Sequence, residues 1–265
     1  MKVQSLKLVC FSPTGTTRAI VQGVARGISQ SAVELIDITT PDARKQSLMT
    51  SENDLLVIAV PVYMGRVPAL LNEWLNAIQA QNTPTICVVV YGNRVYDNAL
   101  LELKNFVKKC GCIPIAGAAY IGEHSFSNDE TPSRGRPDED DLNHAEVFGQ
   151  KIRKKLQSIS SISLISDVTV PGTYPYGGIT ELWNVDFIEV NDQCIECGIC
   201  VEMCPVGAIN SQDSKMIDKV KCITCCACIK RCPQNARSMK SGPVKDAQKR
   251  VNTLFREQKK PEYFL

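Results

Sequence analysis

Along the first 158 positions the apolar residues fall into two patterns. Short runs at 6–11, 32–36, 55–60, 86–91 and 113–118 are rich in Val, Ile and Leu and predict five β-strands. The third and fourth are apolar almost throughout, as suits strands covered on both faces of a parallel sheet. Between the runs, 16–29, 68–81, 98–111 and 139–158 carry helix-like patterns, while 42–52 is the least regular stretch and reads as a short helix ending before Asn53 and Asp54. Strand and helix alternating at this spacing predict an α/β domain over residues 1–158, built on a doubly wound parallel sheet.

The pattern breaks over 159–187, where a Ser-rich stretch leads into Pro171, Gly172, Pro175, Gly177 and Gly178. This is an extended linker. It serves either as a plain connector or as a spacer whose tyrosines and Trp183 pack between two domains. A compact block follows at 188–240. The tail, 241–265, has six Lys/Arg against three Asp/Glu, is partly helical, and is expected to wrap the surface.

The composition, 44% hydrophobic and 22% charged over 265 residues, is that of a soluble globular chain with one or two domains. No apolar run approaches the roughly 18 to 20 residues of a membrane helix. The N-terminal residues lack the basic start and apolar stretch of a signal peptide, which makes the cytoplasm the default location. A formal charge of +2 is too balanced for a nucleic-acid binder that relies on a basic field.

The thirteen cysteines change the picture, because nine of them lie between Cys194 and Cys232. A secreted disulfide scaffold would spread its cysteines along the chain, so reduced thiolates holding metal explain the block better. The block contains C-x2-C-x2-C-x3-C-P twice. Cys194, Cys197, Cys200, Cys204 and Pro205 recur as Cys222, Cys225, Cys228, Cys232 and Pro233, and Ala208 recurs as Ala236, all at an offset of 28. Zinc also uses C-x2-C pairs, but it needs neither a third cysteine three residues on nor the Cys-Pro ending. Over about 188–240 the stretch resembles two-cluster [4Fe-4S] ferredoxins, which form a small α+β domain. The resemblance implies that the fourth cysteine of each run serves the other cluster. One site is then Cys194, Cys197, Cys200 and Cys232, and its partner is Cys222, Cys225, Cys228 and Cys204. Cys226 is surplus, stands where the first repeat has Gly198, and reads as a small buried thiol.

In the first domain, the first strand is followed by Ser12, Thr14, Gly15, Thr16 and Thr17 and then by a helix. Hydroxyls, a glycine and a helix N-terminus suit one phosphate, although a Ser/Thr-rich helix cap has the same composition. Walker A and dinucleotide patterns are both absent. Two further loops sit at strand carboxyl ends, where open α/β sheets bind ligands. The first is Pro61, Val62, Tyr63, Met64, Gly65 and Arg66. The second contains Tyr91, Gly92, Asn93, Arg94 and Tyr96. These loops resemble those of flavodoxins, and the resemblance implies FMN, a sheet of order 2-1-3-4-5, and the isoalloxazine between the second and third loops. The usual Trp of the second loop is absent. Arg66 and Arg94 either approach the ring, raising the flavin potential, or face solvent and loop carboxylates. In the first case Arg94→Ala lowers the second-electron potential. The polar loop 123–136 reads as a lid or docking surface, and His124 either joins the site or is a hydrogen-bonded surface residue.

Nearly the whole chain resembles anaerobic-bacterial and archaeal fusions of a flavodoxin domain with a two-cluster ferredoxin domain. The resemblance implies electron transfer between FMN, two [4Fe-4S] clusters and protein redox partners such as ferredoxin-dependent oxidoreductases. A flavin-dependent reductase fed by its own clusters is the alternative, and a redox sensor is a third reading. An exposed flavin edge would mark the carrier and a roofed cavity the reductase.

Overall fold

The protein is seen here as a computed structural model that describes residues 3–29, 32–161, 167–178 and 184–265. Trp183, one of the residues expected to pack between the domains, lies outside the described residues. The first part runs β1 (Ser5–Cys10), α1 (Thr16–Ile28), β2 (Val33–Asp37), β3 (Met49–Thr50), β4 (Asp54–Pro61), α2 (Asn72–Asn76), β5 (Gln79–Ala80), β6 (Thr83–Tyr91), α3 (Ala99–Lys109), β7 (Cys112–Ile121) and α4 (Glu139–Ser158). The second part contributes β8 (Ile188–Val190), α5 (Ile199–Glu202), α6 (Ala227–Lys230), β9 (Arg237–Met239), α7 (Pro243–Leu254) and β10 (Glu262–Phe264).

The main sheet runs β2-β1-β4-β6-β7-β10. Its first five strands are parallel and stand in the flavodoxin-like order 2-1-3-4-5. Neighbouring residues on one strand feed opposite faces. Val9, Ile58 and Val89 join Leu100 and Leu103 on the α3 side, whereas Leu8, Val57 and Val88 meet Ile20, Val24, Phe148 and Ile152 of α1 and α4. Such two-sided burial is why the third and fourth apolar runs show no polar alternation.

Three features depart from the sequence reading. The helix expected over 68–81 is a 3-10 turn at Ala69–Leu71 followed only by α2. Beyond it the backbone is drawn into β5, where Gln79 N–H donates to the Leu48 carbonyl at 2.9 Å and Ala80 N–H to the Cys110 carbonyl at 3.0 Å. The stretch 42–52 is likewise a 3-10 turn at Asp42–Lys45 followed by β3, which pairs with β5. The tail also does more than cover a surface. β10 pairs antiparallel with β7, Tyr263 opposite Ala118, and adds a sixth strand to the sheet.

The linker is strapped to the first domain. Val168 and Val170 are buried against the α3-side core, and Asp167 sits 3.1 Å from Lys104 and 2.8 Å from Lys108. Tyr176 accepts from Asn105 Nδ2 at 2.7 Å and lies 4.9 Å from the Arg66 guanidinium.

In the cysteine block, β8 and β9 pair antiparallel and bring its two ends together. The duplication is written in the backbone as well. Left-handed residues occur in pairs 28 apart, at Glu196 and Thr224, Gly198 and Cys226, and Gly207 and Asn235. Cys226 therefore does the backbone work of Gly198 while its side chain packs with Phe187, Ile188 and Val244. No helix among the described residues is long and apolar enough to cross a membrane.

Candidate redox site

A cavity opens at the carboxyl ends of β1, β4, β6 and β7, and its walls come from both domains. One end is formed by Thr14, Thr16 and Thr17. Gly15 caps α1 at φ +94°, a left-handed conformation that favours glycine, and brings no side-chain acceptor to the first-turn N–H groups. Those N–H groups, the three hydroxyls and the positive end of a 13-residue helix make a donor cluster suited to a phosphate. Ser12 is not part of the wall. Its Oγ accepts from Arg18 N–H at 3.0 Å, and its own N–H donates to Thr39 Oγ1 at 2.8 Å, so it shapes the loop from behind. Arg231, from the cysteine block, donates from Nη2 to the Thr14 carbonyl at 3.1 Å and brings a cation to this loop.

The other end is flat and more apolar. Pro61, Val62, Tyr63 and Met64 line it next to Tyr91 and Gly92 of the neighbouring strand end, where Val62 N–H donates to the Val90 carbonyl at 2.9 Å. Tyr63 and Arg66 exchange two backbone hydrogen bonds, both 3.0 Å, and Met64 at the tip is held at φ +54°. Such strain in a non-glycine residue is characteristic of functional loops. Gly92 has no room for a side chain, since an added Cβ would sit 2.3 Å from His124 Cδ2. His124 lines the cavity, which decides between its two sequence readings. Its Nδ1 accepts the Phe126 N–H at 3.0 Å, leaving the proton of the neutral ring on Nε2. Burial first, then Lys230 and Arg94, lower its pKa to about 4, so the ring is neutral.

The remaining flavin-loop residues stand behind the wall. Both Arg66 and Arg94 are engaged by carboxylates and neither lines the cavity. Arg66 pairs with Glu102 through Nε at 2.8 Å and Nη2 at 2.7 Å, and Arg94 Nη2 lies 3.0 Å from Asp97. This is the second of the two arrangements expected for these arginines, in which they meet loop carboxylates. Gly65 is buried against Asp97. Asn93 holds the tail, donating to the Phe255 and Glu257 carbonyls at 3.0 and 2.9 Å and accepting from Lys259 N–H at 2.8 Å. Tyr96 donates to Glu262 at 2.9 Å.

Ile223 and Thr224 complete the cavity wall. They are the two residues between Cys222 and Cys225, and sequence reasoning passed over them because the cysteines explained that stretch. The junction is pinned nearby by Lys230, 2.6 Å from Glu123 and 2.5 Å from Ser127, and by Arg44, whose Nη2 donates to the Pro205 carbonyl at 2.5 Å. Tyr63 lies beside the same loop. Burial of its hydroxyl, then the Cys225 and Cys226 thiols, push its pKa well above the usual tyrosine value.

The eight repeat cysteines gather as two sets of four. Cys194, Cys197, Cys200 and Cys232 line one small cavity, and Cys204, Cys222, Cys225 and Cys228 line another, to which the surplus Cys226 also contributes. The fourth cysteine of each run is thus found with the other run's first three. Among the described residues no group of three or more His, Cys, Asp or Glu converges closely enough to hold a single metal ion. Four thiols around a cavity, rather than around a point, fit a multi-iron core better than a zinc ion. Cys204 Sγ accepts from Ala208 N–H at 3.2 Å and Cys232 Sγ from Ala236 N–H at 3.3 Å, so the fourth sulfur of each run is held alike. Burial raises the pKa of the Cys222, Cys225 and Cys228 thiols, so the charge of an iron core is what would keep them deprotonated. Elsewhere, burial pushes Cys10 up to about 12 and Cys112 to about 11, marking them as unreactive.

Residues 188–210, spanning the first repeat, match the family described as a 4Fe-4S binding domain. No curated protein matches the chain. Among solved structures, it is similar to a flavodoxin from the domain Archaea at 16% identity, over 58% of this chain and 99% of that one, with a TM-score of 0.41. It is also similar to oxidised flavodoxin 1 from Bacillus cereus at 14% identity, over 59% and 99% of the two chains, with a TM-score of 0.40. From its strand order and its cysteine motif, the chain is a fusion of a flavodoxin-like domain with a 4Fe-4S binding domain.

Proposed function

We propose that this protein is a cytoplasmic electron carrier that binds FMN in the interdomain cavity and two [4Fe-4S] clusters in the cysteine cavities, and exchanges electrons with protein redox partners. The observation that carries this reading is the position of Ile223 and Thr224, which lie between two cluster-ligating cysteines and also line the flavin cavity. The set containing Cys222 and Cys225 is therefore the inner one. The set containing Cys194 is the outer one, and Cys197 is exposed to solvent.

FMN exchanges electrons singly or in pairs, and each cubane exchanges one at a time. The chain's own residues supply the rest. Thr14, Thr16, Thr17 and the start of α1 would hold the phosphate, with Arg231 beside them. Tyr63, Met64, Tyr91 and Gly92 would flank the ring. His124 would present an uncharged N–H donor to it. Ile223 and Thr224 of the inner cluster loop form part of the cavity wall, so the flavin's first partner would be built into the same chain. External partners such as ferredoxin-dependent oxidoreductases meet the outer cysteine set.

The reductase reading is favoured by one observation. His124 lines the cavity with its Nδ1 taken by the Phe126 N–H, which leaves an Nε2–H hydrogen-bond donor for a small substrate. Anaerobic reconstitution and metal analysis test the common part of both readings, with about eight iron and one FMN per chain expected. Stopped-flow mixing with a reduced ferredoxin then separates them. Fast flavin reduction, followed by electron release to a second protein without an added small molecule, supports the carrier. Release only when a small substrate is present supports the reductase.

A further inference from the structure

The two halves of the cysteine block correspond at an offset of 28, so a difference between equivalent residues marks a difference between the two sites. Cys204 ends one run and Cys232 ends the other, and five residues after each comes a buried residue: Ile209 and Arg237. Ile209 is 6% exposed and lines the inner cavity. Arg237 is 4% exposed and lines the outer one. One Arg237 nitrogen, Nη2, donates to the Ser214 carbonyl. The other, Nη1, is buried with no hydrogen-bond partner. Arg237 also takes part in no ion pair among the described residues. A buried guanidinium in this condition is costly unless an anion faces it, and the groups at hand are the ligand sulfurs.

We propose that Arg237 is the counter-charge and hydrogen-bond donor of the cluster held by Cys194, Cys197, Cys200 and Cys232, and that it sets that cluster's potential above its neighbour's. The inference rests on the two-cluster reading. An electron added to a cluster increases its negative charge, so a buried cation and an N–H donor stabilise the reduced form and raise the potential. The inner cavity has Ile188, Ile209, Ile217 and Ile223 in its wall and no such charge. Exposure of Cys197, against the buried Cys225, acts in the same direction. Arg237 lines the outer cavity and not the inner one, so the outer cluster should respond more to its charge. An electron entering from a partner then rests on the outer cluster and moves inward at a lower-potential step.

The test is reduction of the full reconstituted chain at set potentials, followed by electron paramagnetic resonance. The outer cluster's signal is identified by its change in a Cys197→Ser chain. In Arg237→Ile, which copies the equivalent residue, the outer cluster's reduced-to-oxidised ratio at a fixed potential should fall about tenfold, or about 59 mV for a one-electron couple. The two midpoints should then converge, and Arg237→Lys should keep most of the separation. Arg237→Gln, which retains an N–H donor without the charge, supplies the comparison if Arg237→Ile holds fewer than eight irons. Unmoved midpoints, or a larger shift at the inner cluster, overturn this inference alone. Fewer than eight irons in the wild-type chain overturns the two-cluster reading and this inference with it.

Discussion

Glu102 is a long way in sequence from the flavin-facing turn, yet its carboxylate holds that turn in place. It accepts from Arg66 Nε at 2.8 Å, Arg66 Nη2 at 2.7 Å and Val67 N–H at 2.9 Å. The two side chains are 4% and 16% exposed, so solvent screens the pair little. In Glu102→Gln one acceptor oxygen remains for three donors, and the new amide turns its own donors toward the guanidinium. Breaking a buried ion pair on one side costs about 3–5 kcal/mol. Arg66's partial exposure and the retained oxygen reduce this to about 2–3 kcal/mol. With a urea dependence of about 2 kcal/mol/M, the unfolding midpoint should fall by roughly 1 M. Far-UV circular dichroism on Glu102→Gln, Arg66→Met and the double variant measures it. Because Tyr63 and Met64 sit on the turn that Arg66 closes, FMN affinity should also fall, by about tenfold or 1.4 kcal/mol. A loss below about 0.5 kcal/mol for Glu102→Gln, or single costs that simply add in the double variant, would refute the coupling.

In Gly92→Ala the added methyl would meet His124 Cδ2 at 2.3 Å and Cγ at 2.7 Å, so bound FMN should be lost while the iron content stays at the wild-type level. Arg231→Ala should weaken FMN binding by about tenfold, and raised salt should erase most of the difference, as expected for a charge near a phosphate. Fluorescence titration of the apoprotein measures both. His124 gives a pH signature. Its folded pKa of about 4 lies below the ordinary value of 6.5, so between these values the unfolded chain binds the extra proton. That stability is complete above about pH 6.5 and is lost as pH falls toward 4, by about 3 kcal/mol in all. Urea midpoints of wild type and His124→Gln should diverge at neutral pH and converge in acid, and parallel pH profiles would remove the assignment.

The Ser/Thr-rich loop before the first helix, the five parallel strands and the two runs of cysteines were legible because each is a local pattern. Ser12 to Thr17 follow one strand directly, the apolar runs identify themselves, and the cysteine spacing repeats at a fixed offset. What stayed hidden depends on residues distant in sequence. Nothing in Glu262 to Phe264 distinguishes three residues of a basic tail from an added strand until β7 is beside them. Arg66 stayed open between the ring and a carboxylate because its partner, Glu102, lies on a helix distant in sequence. Thr224 looked like spacing between two ligands, although Glu196 at the equivalent position already marked a difference between the repeats.

β10 changes how the molecule can be taken apart. The chain leaves the sheet after β7, builds α4, the linker and the whole cysteine block, and returns to pair with β7. Topologically, the cysteine block is thus an insertion between two neighbouring strands. A single cut within 159–187 would leave both pieces held by the β7–β10 ladder and by the Asn93 contacts to residues 255–259. Removing everything beyond the cut would uncover the β7 edge at Gly117, Ala118 and Ala119, where free backbone groups can recruit a strand from another chain. A version of the flavin domain made to stand alone should therefore keep β10, joined to α4 by a short loop.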